Sequence, residues 1–212
     1  MRSAPALLAA LMLAPHPAAA GAWLRGVGDG FLSWTFKIQD GDGAVGYSTA
    51  YAEYGMNPDL TVGLDMGSDE LGDYKALAFV LMPISREGTQ VVFELAAGTL
   101  QGGAAIRPGI SVGRGWNWHD LGGWWNVDTR ARVTGEDTAL AIDATLGITV
   151  WEGTMLIGQL QEGGPLTDPE FLRLSGSVVW KALPGQHIEV GLSTGLIEAE
   201  DFGVKIGTWR SF

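Results

Sequence analysis

From Phe31 onward, apolar and polar positions alternate with a period of two, and the alternation is broken about every dozen residues by Gly, Asp, Asn or Pro. Successive side chains of a strand point to opposite faces, so each such run predicts a β-strand with one apolar and one polar face. About twelve runs can be placed, centred near residues 35, 50, 63, 79, 94, 109, 129, 144, 158, 176, 191 and 206. The clearest set Leu60, Val62, Leu64 and Met66 against Thr61, Gly63, Asp65 and Gly67, and Leu140, Ile142, Ala144, Leu146 and Ile148 against Ala141, Asp143, Thr145 and Gly147. In another, Ile188, Val190 and Leu192 oppose His187, Glu189, Gly191 and Ser193. The fourth run, Lys75 to Met82, is apolar on both sides and gives no face assignment, and the ninth is weakly patterned. Twelve strands is the expectation, with roughly 10 to 14 compatible with the pattern.

The seventh run decides what each face meets. Trp125, Val127, Thr129, Ala131 and Val133 lie on one side, and Asn126, Asp128, Arg130 and Arg132 on the other. In a transmembrane barrel the second set must face the lumen, because an Arg at the lipid midplane costs roughly 2–4 kcal/mol. A soluble β-sandwich also alternates. Two features favour the barrel. The polar faces are rich in Gly, Ser, Thr and Ala, as a crowded lumen requires, and the runs reach about ten residues, the length of a strand tilted across a bilayer.

Composition narrows the choice. Charged residues make up only 17% of the 212 residues, while hydrophobic residues reach 46% and Gly numbers 32. The absence of Cys excludes a disulfide scaffold and any Cys-ligated metal centre. A net charge of -11 argues against nucleic acid as a partner, since no basic stripe exists to displace counterions from phosphates. Residues 1–20 read as a secretory signal: Arg2, an apolar core from Ala6 to Leu13, then Pro15, Pro17 and Ala18-Ala19-Ala20, with cleavage expected before Gly21. Beyond it the longest apolar run, Ala76 to Ile84, is too short for a spanning helix. The expectation is an exported protein whose residues 21–212 form a single all-β domain, an antiparallel transmembrane β-barrel.

The chain ends in FGVKIGTWRSF, with Phe202, Val204, Ile206, Thr208 and Phe212 on one face. This resembles the terminal-strand signal of bacterial outer-membrane barrels, in which Val204, Ile206 and Phe212 would be read by the barrel assembly machinery. Arg210 departs from it, standing where the pattern usually has an apolar or aromatic residue. Together with GAWLRGVGDGFLSW at 21–34, YAEYGMNPDLTVGLDMG at 51–67 and IGQLQEG at 157–163, the chain resembles a family of small uncharacterised bacterial outer-membrane barrel proteins. The resemblance implies a fold and a location in the outer membrane of a Gram-negative cell. It implies no activity and no site residues.

An even strand count would place both termini in the periplasm and the odd-numbered connections outside. The outward connections then gather acidic residues: Asp40 and Asp42; Asp69, Glu70 and Asp73; Glu136 and Asp137; Glu162, Asp168 and Glu170; Glu198, Glu200 and Asp201. These read first as solvated turns, and second as sites where divalent cations bridge to lipopolysaccharide. Asp40-Gly41-Asp42-Gly43 lacks the later ligands of a calcium loop, so no metal site is assigned. Trp116, Trp118, Trp124, Trp125, Trp151 and Trp180 map to the periplasmic rim and read as an interfacial aromatic girdle.

The lumen is expected to hold Lys37, Arg107, Arg130, Arg132, Arg173 and Lys205 in its outer half, with Asp65, Glu94, Asp128 and Asp143 opposite or below. These charges form either a packed network of ion pairs or a constriction that selects small anionic solutes. After the signal only His119 and His187 remain, both at periplasmic turns, and no motif for nucleophilic or metal chemistry is present. No enzyme activity and no cofactor are expected. The leading expectation is a narrow, porin-like passive channel for small solutes, ahead of a non-conducting structural or adhesive barrel and a soluble exported sandwich. The partners expected are outer-membrane lipid, lipopolysaccharide and the assembly machinery.

Overall fold

A computed structural model describes residues 21–40, 45–119, 121–135, 137–165, 171–197 and 202–212. The signal-like stretch 1–20 and the acidic residues Asp42, Glu136, Asp168, Glu170, Glu198, Glu200 and Asp201 lie outside the described residues. Twelve strands follow one another: β1 (Gly30–Asp40), β2 (Val45–Asn57), β3 (Leu60–Asp69), β4 (Tyr74–Ser85), β5 (Gln90–Leu100) and β6 (Gly103–Trp118). The second half comprises β7 (Leu121–Thr134), β8 (Thr138–Trp151), β9 (Thr154–Pro165), β10 (Phe171–Leu183), β11 (Gln186–Ile197) and β12 (Phe202–Ser211). Their centres fall within about two residues of those the alternation predicts.

Each strand pairs antiparallel with its sequence neighbours, and β1 pairs with β12 from Phe31–Ser211 to Asp40–Phe202. The sheet therefore closes on itself, leaves no edge, and rules out the sandwich. Closure is reinforced at the C-terminus. Gly30 N donates to the Phe212 carbonyl at 2.7 Å, and Phe212 N returns a bond to Gly30 O at 3.1 Å. A Cβ on Gly30 would stand 2.3 Å from the Phe212 ring, so glycine leaves the space in which that ring packs.

The two faces separate as the pattern requires. Leu32, Trp34 and Ile38 of β1, Leu64 and Met66 of β3, Leu174 and Val178 of β10, and Val204 and Ile206 of β12 are all exposed on the outside. Charged residues on that face, such as Asp40, Arg114, Glu162 and Arg210, lie toward strand ends. An apolar outer wall with polar groups turned inward is stable only where lipid covers it. The fourth strand now has a face: Leu77, Phe79 and Leu81 point inward and are buried at 2%, 3% and 1% exposure. They pack with Val92, Ala96 and Ala105 and are covered by Leu24, Tyr51 and Leu100. Hereafter the terminal end is the rim where β1 begins and β12 stops, and the far end is the opposite rim.

Candidate functional site

Inward-facing charges form a network along β3 to β9. Asp65 accepts Lys75 Nζ at 2.8 Å and Arg107 Nη1 at 2.5 Å. Arg107 Nε reaches Glu94 Oε1 at 2.8 Å, and the other oxygen of Glu94 meets Arg130 Nε at 3.3 Å. Arg130 continues to Asp143 at 3.4 Å and Asp128 at 3.6 Å. Gln161 Nε2 donates to Asp143 at 3.2 Å, and Asn126 Nδ2 and the Ser111 hydroxyl donate to Asp128. Glu94 is only 2% exposed. A carboxylate so buried persists because two guanidiniums and their N–H donors replace its water.

The opposite wall carries an excess of positive charge. Lys37 on β1, Lys205 on β12 and Arg173 on β10 stand near one another, with Glu189 of β11 as the adjacent carboxylate. Glu189 accepts Ser177 Oγ at 2.7 Å and Trp209 Nε1 at 3.2 Å, and also pairs with Lys205. Among the described residues, three cations to one carboxylate on this side face four carboxylates and, with Arg132, four cations on the other. A field therefore runs across the lumen.

Three chambers that share lining residues follow one another through the described interior. A cavity of about 790 Å³ at the far end is lined by Tyr47, Asp69, Lys75, Leu100 and Arg132 among others. Below it a cavity of about 330 Å³ shares Lys75, Leu100 and Arg132 with the first and adds Arg107, Arg130 and Asp143. A third, of about 260 Å³, shares Arg130 and Asp143 and runs down past Lys205 and Glu189 to Phe31, Trp124 and Trp209. There an apolar floor begins: Trp124, Ile157 and Val179, packed with Trp23, Met155 and Trp209.

Trp23 belongs to no strand. The segment before β1 enters the barrel, where Ala22 is fully buried and its N–H donates to Asn126 Oδ1 at 3.0 Å. Trp23 meets Trp124 edge-on with ring centroids 5.9 Å apart. Arg25 pairs with Glu53, lies 4.5 Å from the Phe31 ring centre, and donates its backbone N–H to Thr61 Oγ1 at 2.9 Å. Tyr51 supplies Glu53 with a second donor at 2.6 Å.

All ten lumen residues expected from the sequence face inward, but most are bound to one another. Arg132 is exposed at the far mouth, and among the described residues it and Lys37 make no ion pair. Of the six tryptophans assigned to the girdle, Trp116, Trp118, Trp125, Trp151 and Trp180 lie toward the terminal end outside the lumen. Trp124 is a correction: it points inward, is 6% exposed and belongs to the floor. Sequence reasoning missed Arg25, Glu53, Lys75 and Glu189 as lumen charges, and Trp23 and Trp209 as its floor. His119 sits on the exposed β6–β7 turn and His187 begins β11, with no imidazole bond to a Ser or carboxylate among the described residues. Asp69 Oδ1 accepts the N–H groups of Leu71 and Asp73, both at 2.9 Å, so this acidic side chain shapes its own turn. The described residues hold no cluster of three metal-capable side chains.

A closed antiparallel barrel, apolar outside and charged within, defines the class of bacterial outer-membrane β-barrels. No protein-family model and no curated protein matches the chain. Among solved structures it is similar to a KdgM porin in complex with disordered oligogalacturonate, with a TM-score of 0.69 and 8% identity over 86% of this chain and 99% of that one. A NanC porin follows at 0.65 and 10% identity, covering 84% and 98%. The COG4313 outer membrane channel from Pseudomonas putida F1 stands at 0.59 and 11%, covering 92% and 99%. At these identities the likeness is one of fold.

Proposed function

We propose that the barrel is a narrow passive channel for small solutes across the outer membrane, with a preference for anions. The observation that carries this reading is the series of chambers that share Lys75, Leu100 and Arg132, then Arg130 and Asp143, from the far mouth to the floor. Twelve strands give a bore between side-chain-filled eight-stranded barrels and open sixteen-stranded porins. Lys37, Arg173, Lys205 and Arg132 supply the cationic surface along which an anion would travel. The terminal end faces the periplasm, with its outer tryptophans at the lipid interface, and the acidic turns face outward beside lipopolysaccharide. Residues 1–20 are the export signal, and Val204, Ile206 and Phe212 present the final strand to the assembly machinery.

Single-channel recording of the refolded barrel in a planar bilayer under a salt gradient tests this. Discrete openings whose reversal potential is displaced toward that of the anion are the expected result. A protein that inserts and never conducts overturns the reading and favours the non-conducting structural barrel, for which the apolar floor is the supporting observation.

A further inference from the structure

Residues 21–29 are not part of the sheet, yet they run from the β1–β2 side of the lumen to the strands almost opposite. Gly28 N donates to Gly55 O at 2.9 Å, Asp29 N closes a turn on Gly26 O at 2.9 Å, and Gly28 holds a φ of 85°. From that turn the segment passes Glu53 and Thr61, lays Leu24 against the inner face of β4 and β5, and ends with Trp23 and Ala22 against β6 and β7.

The wall is cut to receive it. A Cβ on Gly55 would stand 1.9 Å from the Gly26 carbonyl oxygen. One on Gly113 would stand 2.7 Å from the Trp23 ring and 2.9 Å from Ala22 Cβ. Glycine in a strand interior marks a close approach of this kind. The floor that ends the third chamber depends on the same segment, because Trp23 completes the packing of Trp124, Ile157 and Val179.

We infer that residues 21–29 are a retractable stopper: seated against Gly55, Gly113 and Asn126 they close the terminal end of the lumen, and unseated they open it. The inference rests on the channel reading above and names the regulation of that path. Side-chain contacts hold the segment beyond its hinge, so it can leave without unpairing any strand of the barrel. The turn at Gly26 to Asp29 is the hinge, fixed to Gly55 at the rim.

The chain has no Cys, so a single engineered pair can pin the stopper without competing thiols. Ala22→Cys with Gly113→Cys puts two Cβ atoms 2.9 Å apart on the present backbone, short of the roughly 3.5–4.5 Å of a disulfide, so the segment shifts slightly off β6 when the bond forms. Three proteins are recorded in planar bilayers: the wild type, a deletion of residues 22–27, and the cysteine pair with and without dithiothreitol. Folding is checked by heat-dependent gel mobility. The deletion is expected to conduct several-fold more than wild type, and the oxidised pair to open about tenfold less often than its reduced form. If the deletion fails to fold, the cysteine pair decides the matter, since it is assembled with the segment in place. Equal conduction of the wild type and the oxidised and reduced pair overturns the stopper and leaves the channel standing. Silence of the wild type, the deletion and the reduced pair overturns both.

Discussion

Glu94 shows how much one side chain holds. It is the carboxylate shared by Arg107 and Arg130, and at 2% exposure it has no water to fall back on. Glu94→Gln keeps the shape and leaves two guanidiniums without their common partner. Breaking a buried pair in this way costs about 3–5 kcal/mol, so the urea midpoint for loss of the heat-resistant gel form should fall markedly. An unchanged midpoint would mean that the network contributes no stability. The same scale shows where the sequence was misread. Trp124 and Trp125 are neighbours on one strand, and period two forbids them to share a face. One had to point inward, and the pattern of β7 already placed Trp125 with the lipid-facing set.

At the scale of the element, the strands that resisted assignment are those whose inner faces are dry in whole or in part. β4 turns Leu77, Phe79 and Leu81 inward, and β9 places Met155 and Ile157 at the floor. Alternation reports a contrast between lipid and water. Where residues 21–29 and the floor replace water, the contrast disappears although the strand is regular. The segment 21–29 itself was not legible, because a short stretch with no periodicity reads as a turn, and only Gly55 and Gly113 hinted at a close neighbour. Phe79→Ala should open a cavity between β4 and the covering Leu24 and Tyr51, costing about 3–5 kcal/mol. Phe93→Ala on the adjacent strand removes a ring from the lipid-facing wall, where lipid can fill the space, and should cost much less. Urea unfolding followed by tryptophan fluorescence separates the two, and equal losses would mean that the inner face of β4 is not a packed core.

At the scale of the whole molecule the sequence was most informative. Twelve strands, the closure, and the inward turn of all ten lumen charges follow from alternation and the cost of charge in lipid. What alternation cannot give is which charges meet, because pairing across the lumen depends on register and strand tilt. That distinction separates two arginines that look equivalent in sequence. Arg130 is bound to Glu94, Asp128 and Asp143, whereas Arg132 is exposed and lines the two outer chambers. Arg132→Ala should move the reversal potential toward that of the cation while leaving the unfolding midpoint unchanged, since a solvated charge contributes to the field and little to stability. Arg130→Ala should move both, because it also leaves three carboxylates short of a counter-charge. Asp143→Asn should displace the reversal potential the opposite way. If none of the three displaces it under a fixed salt gradient, the transverse field is not the filter, and the charges on the two walls serve only to hold the barrel together.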